Sequence, residues 1–308
     1  MSSVGELTAD ETPLFDPMAP LTATGNLRRR MAVSRVSESG STVCALAAVA
    51  VLLILVIGIA IRGASVLSIG FITQNQSGLT GGGIANYLLG TFVIVVFGAV
   101  IAVPIGVLTG LYMTEFAGPR SLTGRTLKLV LDLLQGVPTI VVGLFVYGLI
   151  VLAEHKETGF AASVALAIVM LPLVARASQE VLLLVPGSLR EAADALGVAR
   201  WRTVVGVILP NAAGGIVTGV ILATARAAGE TAPVLLVNSL FDPYSTQLNI
   251  FGHGVPTVPM LILNTTDLAL PDAFNRAWGA AFVLLVLILF ANILARVIVA
   301  RSRRRMGL

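Results

Sequence analysis

The sequence predicts an all-α integral membrane protein with six transmembrane helices, and three observations carry that expectation. Only 12% of the 308 residues are charged, against roughly a quarter in an ordinary soluble domain. Hydrophobic residues make up 56% and mean hydropathy is +0.94. The charges crowd toward the two ends and leave long uncharged intervals between them. A chain of this size in water needs a far larger charged surface. A soluble globular enzyme is excluded on that ground, as is a disordered or fibrous protein.

The six spans are the uncharged intervals themselves, since a helix needs about 20 apolar residues to cross the hydrocarbon core. They are Ser39–Ile61, roughly Ile84–Met113, Leu133–Ala153, Thr158–Ala175, Thr203–Ala225 and Ala277–Ala295. The second is trimmed because residues 63–83 are polar and glycine-rich. With six spans both termini share a side. Every basic residue except Arg62, Lys156, Arg226 and Arg276 falls on that side. Basic residues mark the cytoplasmic face, so both termini are expected in the cytoplasm.

Around the spans, residues 1–42 hold Pro, Ser, Thr and acidic residues without apolar periodicity. They read as a mobile cytoplasmic tail. Residues 43–300 form the six-helix domain, and 301–308 a basic cytoplasmic C-terminal tail. The arginine clusters at both ends read as orientation signals touching anionic membrane lipid rather than as a nucleic-acid patch. A long external loop, about 231–276, mixes prolines with apolar stretches. It either dips back toward the membrane or covers the outer mouth of a pathway.

Several chemistries are absent from the residues. Cys44 is the sole cysteine and His155 and His253 the sole histidines, which leaves a zinc site without support. No cofactor is implied. The only lysines, Lys128 and Lys156, do not follow glycine, so the chain carries no GxxxxGK[ST] phosphate loop. Any ATP hydrolysis through such a loop belongs to a partner. An intramembrane hydrolase lacks a base within facing spans. A secondary transporter would rest on Asp132 alone, a carboxylate with no His or Lys beside it.

Between the fourth and fifth spans, at about 186–210, Glu191-Ala192-Ala193 is followed by three residues, Gly197, nine residues and Val207-Ile208-Leu209-Pro210. Leu189–Leu196 contains good helix formers and Gly197 suits the residue after a helix end. The pattern reads as a helix, a turn and a second helix lying at the membrane face. A short exposed helix of this kind docks in a groove of a soluble partner, or is an interfacial helix with no partner. The spacing resembles the EAA loop of ABC importer permeases, with Val207 where isoleucine is usual. That resemblance implies a coupling role for Glu191, Ala192, Ala193, Gly197, Leu209 and Pro210, and a cytoplasmic ABC ATPase dimer as partner.

Three further stretches narrow the family. Val103–Glu115 (VPIGVLTGLYMTE), Gln135–Gly143 (QGVPTIVVG) and Ala225–Pro233 (ARAAGETAP) are similar to the signatures of PstA-type permeases of phosphate importers. The resemblance covers roughly residues 40–300. It implies a second, similar permease chain of the PstC type, an external phosphate-binding protein, and phosphate as the cargo in a bacterial plasma membrane. Another oxyanion, sulfate or molybdate, would use the same loop.

Phosphate is costly to move into hydrocarbon, so its path needs compensating charge and donors. Arginine supplies a planar fork that stays charged. Arg226, at the end of the fifth span, and Glu230 are read as pathway residues, or as a structural pair at i, i+4 on one helix face. Arg176, after the fourth span, is a pathway residue or an orientation signal.

Overall fold

The computed structural model describes residues 26–78, 81–118, 121–239, 241–244, 249–268 and 270–305. The chain divides into two units, Met1–Ile57 and Gly58–Leu308. The first contains most of α1 (Asn26–Ala64), a helix with no proline in it. Its start at Asn26 falls inside the segment expected to be a tail. Arginine, methionine, alanine and glutamate between Asn26 and Thr42 are sufficient helix formers to extend the first span backward. Residues 1–25 of the expected tail lie outside the described residues.

In the second unit, a short helix α2 (Ile69–Thr73) and a two-stranded turn, β1 (Gln76–Ser77) with β2 (Gly81–Gly82), lead into α3 (Ala85–Leu111). A π-helical turn, Tyr112–Phe116, extends α3. There follow α4 (Leu122–Gly136), α5 (Thr139–Val146), a π turn (Tyr147–Val151) with α6 (Leu152–Glu154), and α7 (Gly159–Leu183). Beyond α7 come α8 (Gly187–Ala195), α9 (Arg200–Thr203), a third π turn (Val204–Ile208) and α10 (Leu209–Ala228). The chain ends with α11 (Ala232–Val237), α12 (Val258–Asp267) and α13 (Pro271–Arg305).

Among the described residues, five helices are long and apolar enough to cross a membrane, and six if one bent pair counts as a single span. That pair corrects the expected third span. Leu122–Gly136 meets Thr139–Glu154 at 101°. Val137 is extended (φ −70°, ψ 128°) and so is Pro138 (φ −56°, ψ 132°). The proline ring disfavours helix at the residue before it, and the helix restarts at Thr139 rather than running on from Leu133.

α7 is the centre of the unit. It packs along α3 through small residues, because lipid-facing chains gain from close backbone approach. A Cβ on Gly110 would lie 2.7 Å from the Ala175 carbonyl, and one on Gly106 2.8 Å from Val174 Cγ1. The core over this seam includes Ile94, Ala161, Ala165, Leu166 and Val255.

The expected external loop is shorter and more ordered than its prolines suggest. α11 packs on α5, and α12 packs on α13 and α3. Val255, Val258, Met260 and Leu261 are buried. Asn238 holds the connection by exchanging two hydrogen bonds with the Val255 backbone, at 2.7 and 2.8 Å. Thr91 Oγ1 accepts from the Val258 N–H at 2.9 Å. Arg276, placed by sequence at the loop's end, lies within α13 and is 3% exposed. It donates to the carbonyls of Gly81, Gly82 and Gly83, pinning the β-turn to the last span. α13 runs through Arg305, so the basic segment from 301 begins as the last turns of that helix.

Candidate functional site

α8 carries the EAA pattern, and its end has the geometry that Gly197 requires. The Gly197 N–H donates to Asp194 O (3.0 Å) and the Val198 N–H to Ala193 O (3.0 Å). Together these form a Schellman cap. Gly197 has φ +68°, a left-handed value that glycine adopts without a Cβ penalty. Glu191, Ala192, Ala195 and Leu196 are exposed, whereas Ala193 is buried and Leu189 packs inward on the cluster that contains Leu182, Val185 and Ile208. α8 thus has an outward polar-edged face and an inward apolar one.

The second helix of the loop differs from expectation. It does not lie apart at the membrane face, because Arg200–Ala228 is one continuous helix. Pro210 has no N–H to donate, and a π turn stands just before it, in which the Leu209 N–H reaches back to Val204 O. Local π geometry absorbs the proline without ending the helix. Leu209 packs against the α8 core while Pro210 is exposed.

Two cross-helix ion pairs flank this element, and local sequence gave no sign of either. Glu115, in the π turn after α3, is 1% exposed at its side chain. Arg190, on α8, donates from Nη2 to its Oε1 at 2.7 Å and from Nε to both oxygens at 3.2 Å. The same guanidinium donates to Leu182 O (3.0 Å) in the last turn of α7 and to Val185 O (2.7 Å) just beyond it. Its hydrogen bonds with Glu115 hold Arg190 above its ordinary pKa, against the opposing effect of burial. The second pair joins Arg176 on α7 to Asp132 on α4, with Gln179 Oε1 accepting a further bond at 3.1 Å. Asp132 therefore has a basic partner, contributed by a distant part of the chain rather than by a neighbour.

Arg226 occupies the last turn of α10, where a cation complements the helix dipole. Its Nε is 3.7 Å from Glu230 Oε1. The two are not on one helix face as expected. α10 ends at Ala228, and Glu230 turns back through its N–H to Ala227 O at 3.1 Å. Arg226 faces a cavity of about 160 Å³ beside the α4–α5 break, lined also by Gln135, Thr139 and Pro172. Arg176 does not line it. Glu230 faces a neighbouring crevice with Thr91, Thr257 and Pro259. Among the described residues no His, Cys, Asp and Glu cluster could hold a metal ion.

Residues 102–304 match the family described as binding-protein-dependent transport system inner membrane component. The chain belongs to this permease family. Among its relatives, the phosphate transport system permease protein PstA 1 of Mycobacterium tuberculosis (strain ATCC 25618 / H37Rv) is 41% identical over 74% of this chain and 73% of its own. PstA of Haemophilus influenzae (strain ATCC 51907 / DSM 11121 / KW20 / Rd) is 38% identical over 76% and 82%, and PstA of Yersinia pestis 37% over 72% and 74%. The PstA-type resemblance of the span motifs is thereby borne out. Solved ABC transporters share the permease fold at lower identity. A chain of the MetNI methionine transporter in an inward facing conformation superposes with TM-score 0.55 and 22% identity, over 71% of this chain and 93% of that one. A chain of a bacterial alginate importer gives 0.54 and 14%, over 86% and 98%.

Proposed function

We propose that this permease is a transmembrane subunit of an ATP-driven importer of inorganic phosphate. The observation that carries the reading is the cavity where Arg226, Gln135 and Thr139 converge at the helix break, together with relatives named as phosphate permeases. Among the described residues no hydrogen bond occupies the Nη groups of Arg226. A passing phosphate would take the fork of Arg226 bidentately, with the Gln135 amide and Thr139 hydroxyl as further donors. Glu230 would accept from a protonated phosphate oxygen, a proton that sulfate lacks near neutral pH.

On this reading the partners would be two copies of a cytoplasmic ATPase, a second permease chain of the PstC type and an external phosphate-binding protein; membership of the permease family supports an ATPase and a substrate-binding protein. The exposed face of α8, with Glu191, Ala192 and Leu196, would seat the ATPase. Both termini would then lie in the cytoplasm of a bacterial plasma membrane. The helix that begins at Arg200 beside this face ends at the turn of Arg226. At about 1.5 Å per residue, it spans on the order of 40 Å. ATPase closure that moves α8 and α9 as a rigid body would be felt at Arg226 through that helix.

The test has two parts. Purification in mild detergent should bring down a P-loop ATPase with the chain. Uptake of labelled phosphate should persist in excess sulfate. Competition by sulfate or molybdate would assign another oxyanion, and absence of the ATPase would sink the importer reading.

A further inference from the structure

We propose that Arg190 and Glu115 are positioning residues for energy coupling: their ion pair makes α8 drive the helix bundle instead of hinging on it. The inference rests on the importer reading above. α8 is joined to its neighbours by two short non-helical connectors, Leu184–Pro186 before it and Leu196–Ala199 after it. Connectors of this kind permit a docked helix to tilt while the spans stay still.

The Arg190 guanidinium closes that freedom. It grips the buried Glu115 carboxylate in the π turn after α3 and two carbonyls, Leu182 in the last turn of α7 and Val185 just beyond it. The Leu182 carbonyl also accepts from the Val185 N–H at 3.3 Å, and Val185 lies in the connector itself. One planar group therefore ties three elements, and its neighbour Glu191 is exposed on the same short helix. Because α3 and α7 pack closely along their length, a displacement of α8 is carried into the bundle by this route, and into α10 by the covalent one. A buried carboxylate whose partner is withdrawn is left uncompensated, so the pair resists being pulled apart when α8 is pushed. The Asp132–Arg176 pair differs in being less enclosed, with the Asp132 side chain 51% exposed where that of Glu115 is 1%.

The experiment uses the full chain, co-expressed with its partners and reconstituted in proteoliposomes. Two quantities are measured: ATPase retained by the complex, and labelled phosphate imported per ATP hydrolysed. Glu115→Gln removes the charge, and Arg190→Lys keeps the charge but loses the fork that reaches both carbonyls. Both variants should retain the ATPase, since the outward face of α8 is untouched. Import per ATP should fall roughly tenfold, within the usual range of coupling between sites. A merely structural role would lower the amount of assembled complex and leave that ratio unchanged. A wild-type ratio in either assembled variant overturns the proposal. So does loss of the ATPase from both, which would make the pair a folding element. If only one assembles, its ratio decides. Failure of the wild-type complex to hold an ATPase or import phosphate would instead strike the importer reading, before any variant is compared.

Discussion

Arg226 Nε lies 3.7 Å from Glu230 Oε1 although α10 ends at Ala228, between the two residues. The pair is asymmetric: the arginine side chain is 63% exposed and the glutamate 18%. The guanidinium is thus the partner able to leave, while the carboxylate stays near Thr91 and Thr257. Glu230→Gln is expected to lower phosphate uptake or admit sulfate, with assembly intact. Competition uptake assays in the purified complex read both effects.

Gly197→Val should uncouple transport without preventing membrane insertion. The left-handed conformation at Gly197 penalises a Cβ by about 1–2 kcal/mol, and a β-branched residue is among the least suited to it. The Schellman bonds to Ala193 and Asp194 would be strained or lost. Uptake should fall while the amount of membrane-extracted chain stays the same.

Glu191→Lys reverses the charge on the exposed face of α8 without touching its buried side. The ATPase should co-purify in smaller amount, and more so at low salt, where exposed charges are least screened. Retention of the ATPase at the wild-type level would place the contact elsewhere.

Protease applied to right-side-out cells should spare both termini and cut in exposed external segments, Asp242 and Tyr244 among them. The stretch Val255–Leu261 is buried against the helices and should resist. Cleavage of the N-terminal segment from outside would overturn the orientation.

Much of the fold was legible because lipid imposes one rule on every span: the interval must be uncharged and long enough. Gly197 was legible for a similar reason, since a helix of good formers that ends in glycine has few alternatives. The bend at Val137–Pro138 was hidden inside an uncharged interval, whose composition is the same whether the helix is straight or broken. The second helix of the loop was read as lying at the membrane face, whereas α9 and α10 form one helix with the fifth span, in which a π turn absorbs Pro210. Arg190, Glu115, Arg176 and Asp132 lay beyond local reading altogether. Their partners are 75 and 44 residues away, and no periodicity encodes such pairings. Arg190 counted among the cytoplasmic orientation charges, Arg176 read as a pathway residue or an orientation signal, and Glu115 only closed the second-span signature. The cavity at Arg226 needed Gln135 and Thr139, brought there by the same bend.

The most direct measurement is phosphate uptake by Arg226→Gln, with Arg226→Lys beside it, in complexes shown to be fully assembled. A charge-assisted hydrogen bond is worth about 1.5–3 kcal/mol. Loss of the fork in Arg226→Lys should therefore slow uptake roughly tenfold or more, and loss of the charge in Arg226→Gln should slow it further. Uptake by assembled Arg226→Gln at the wild-type rate would contradict a phosphate path through this cavity.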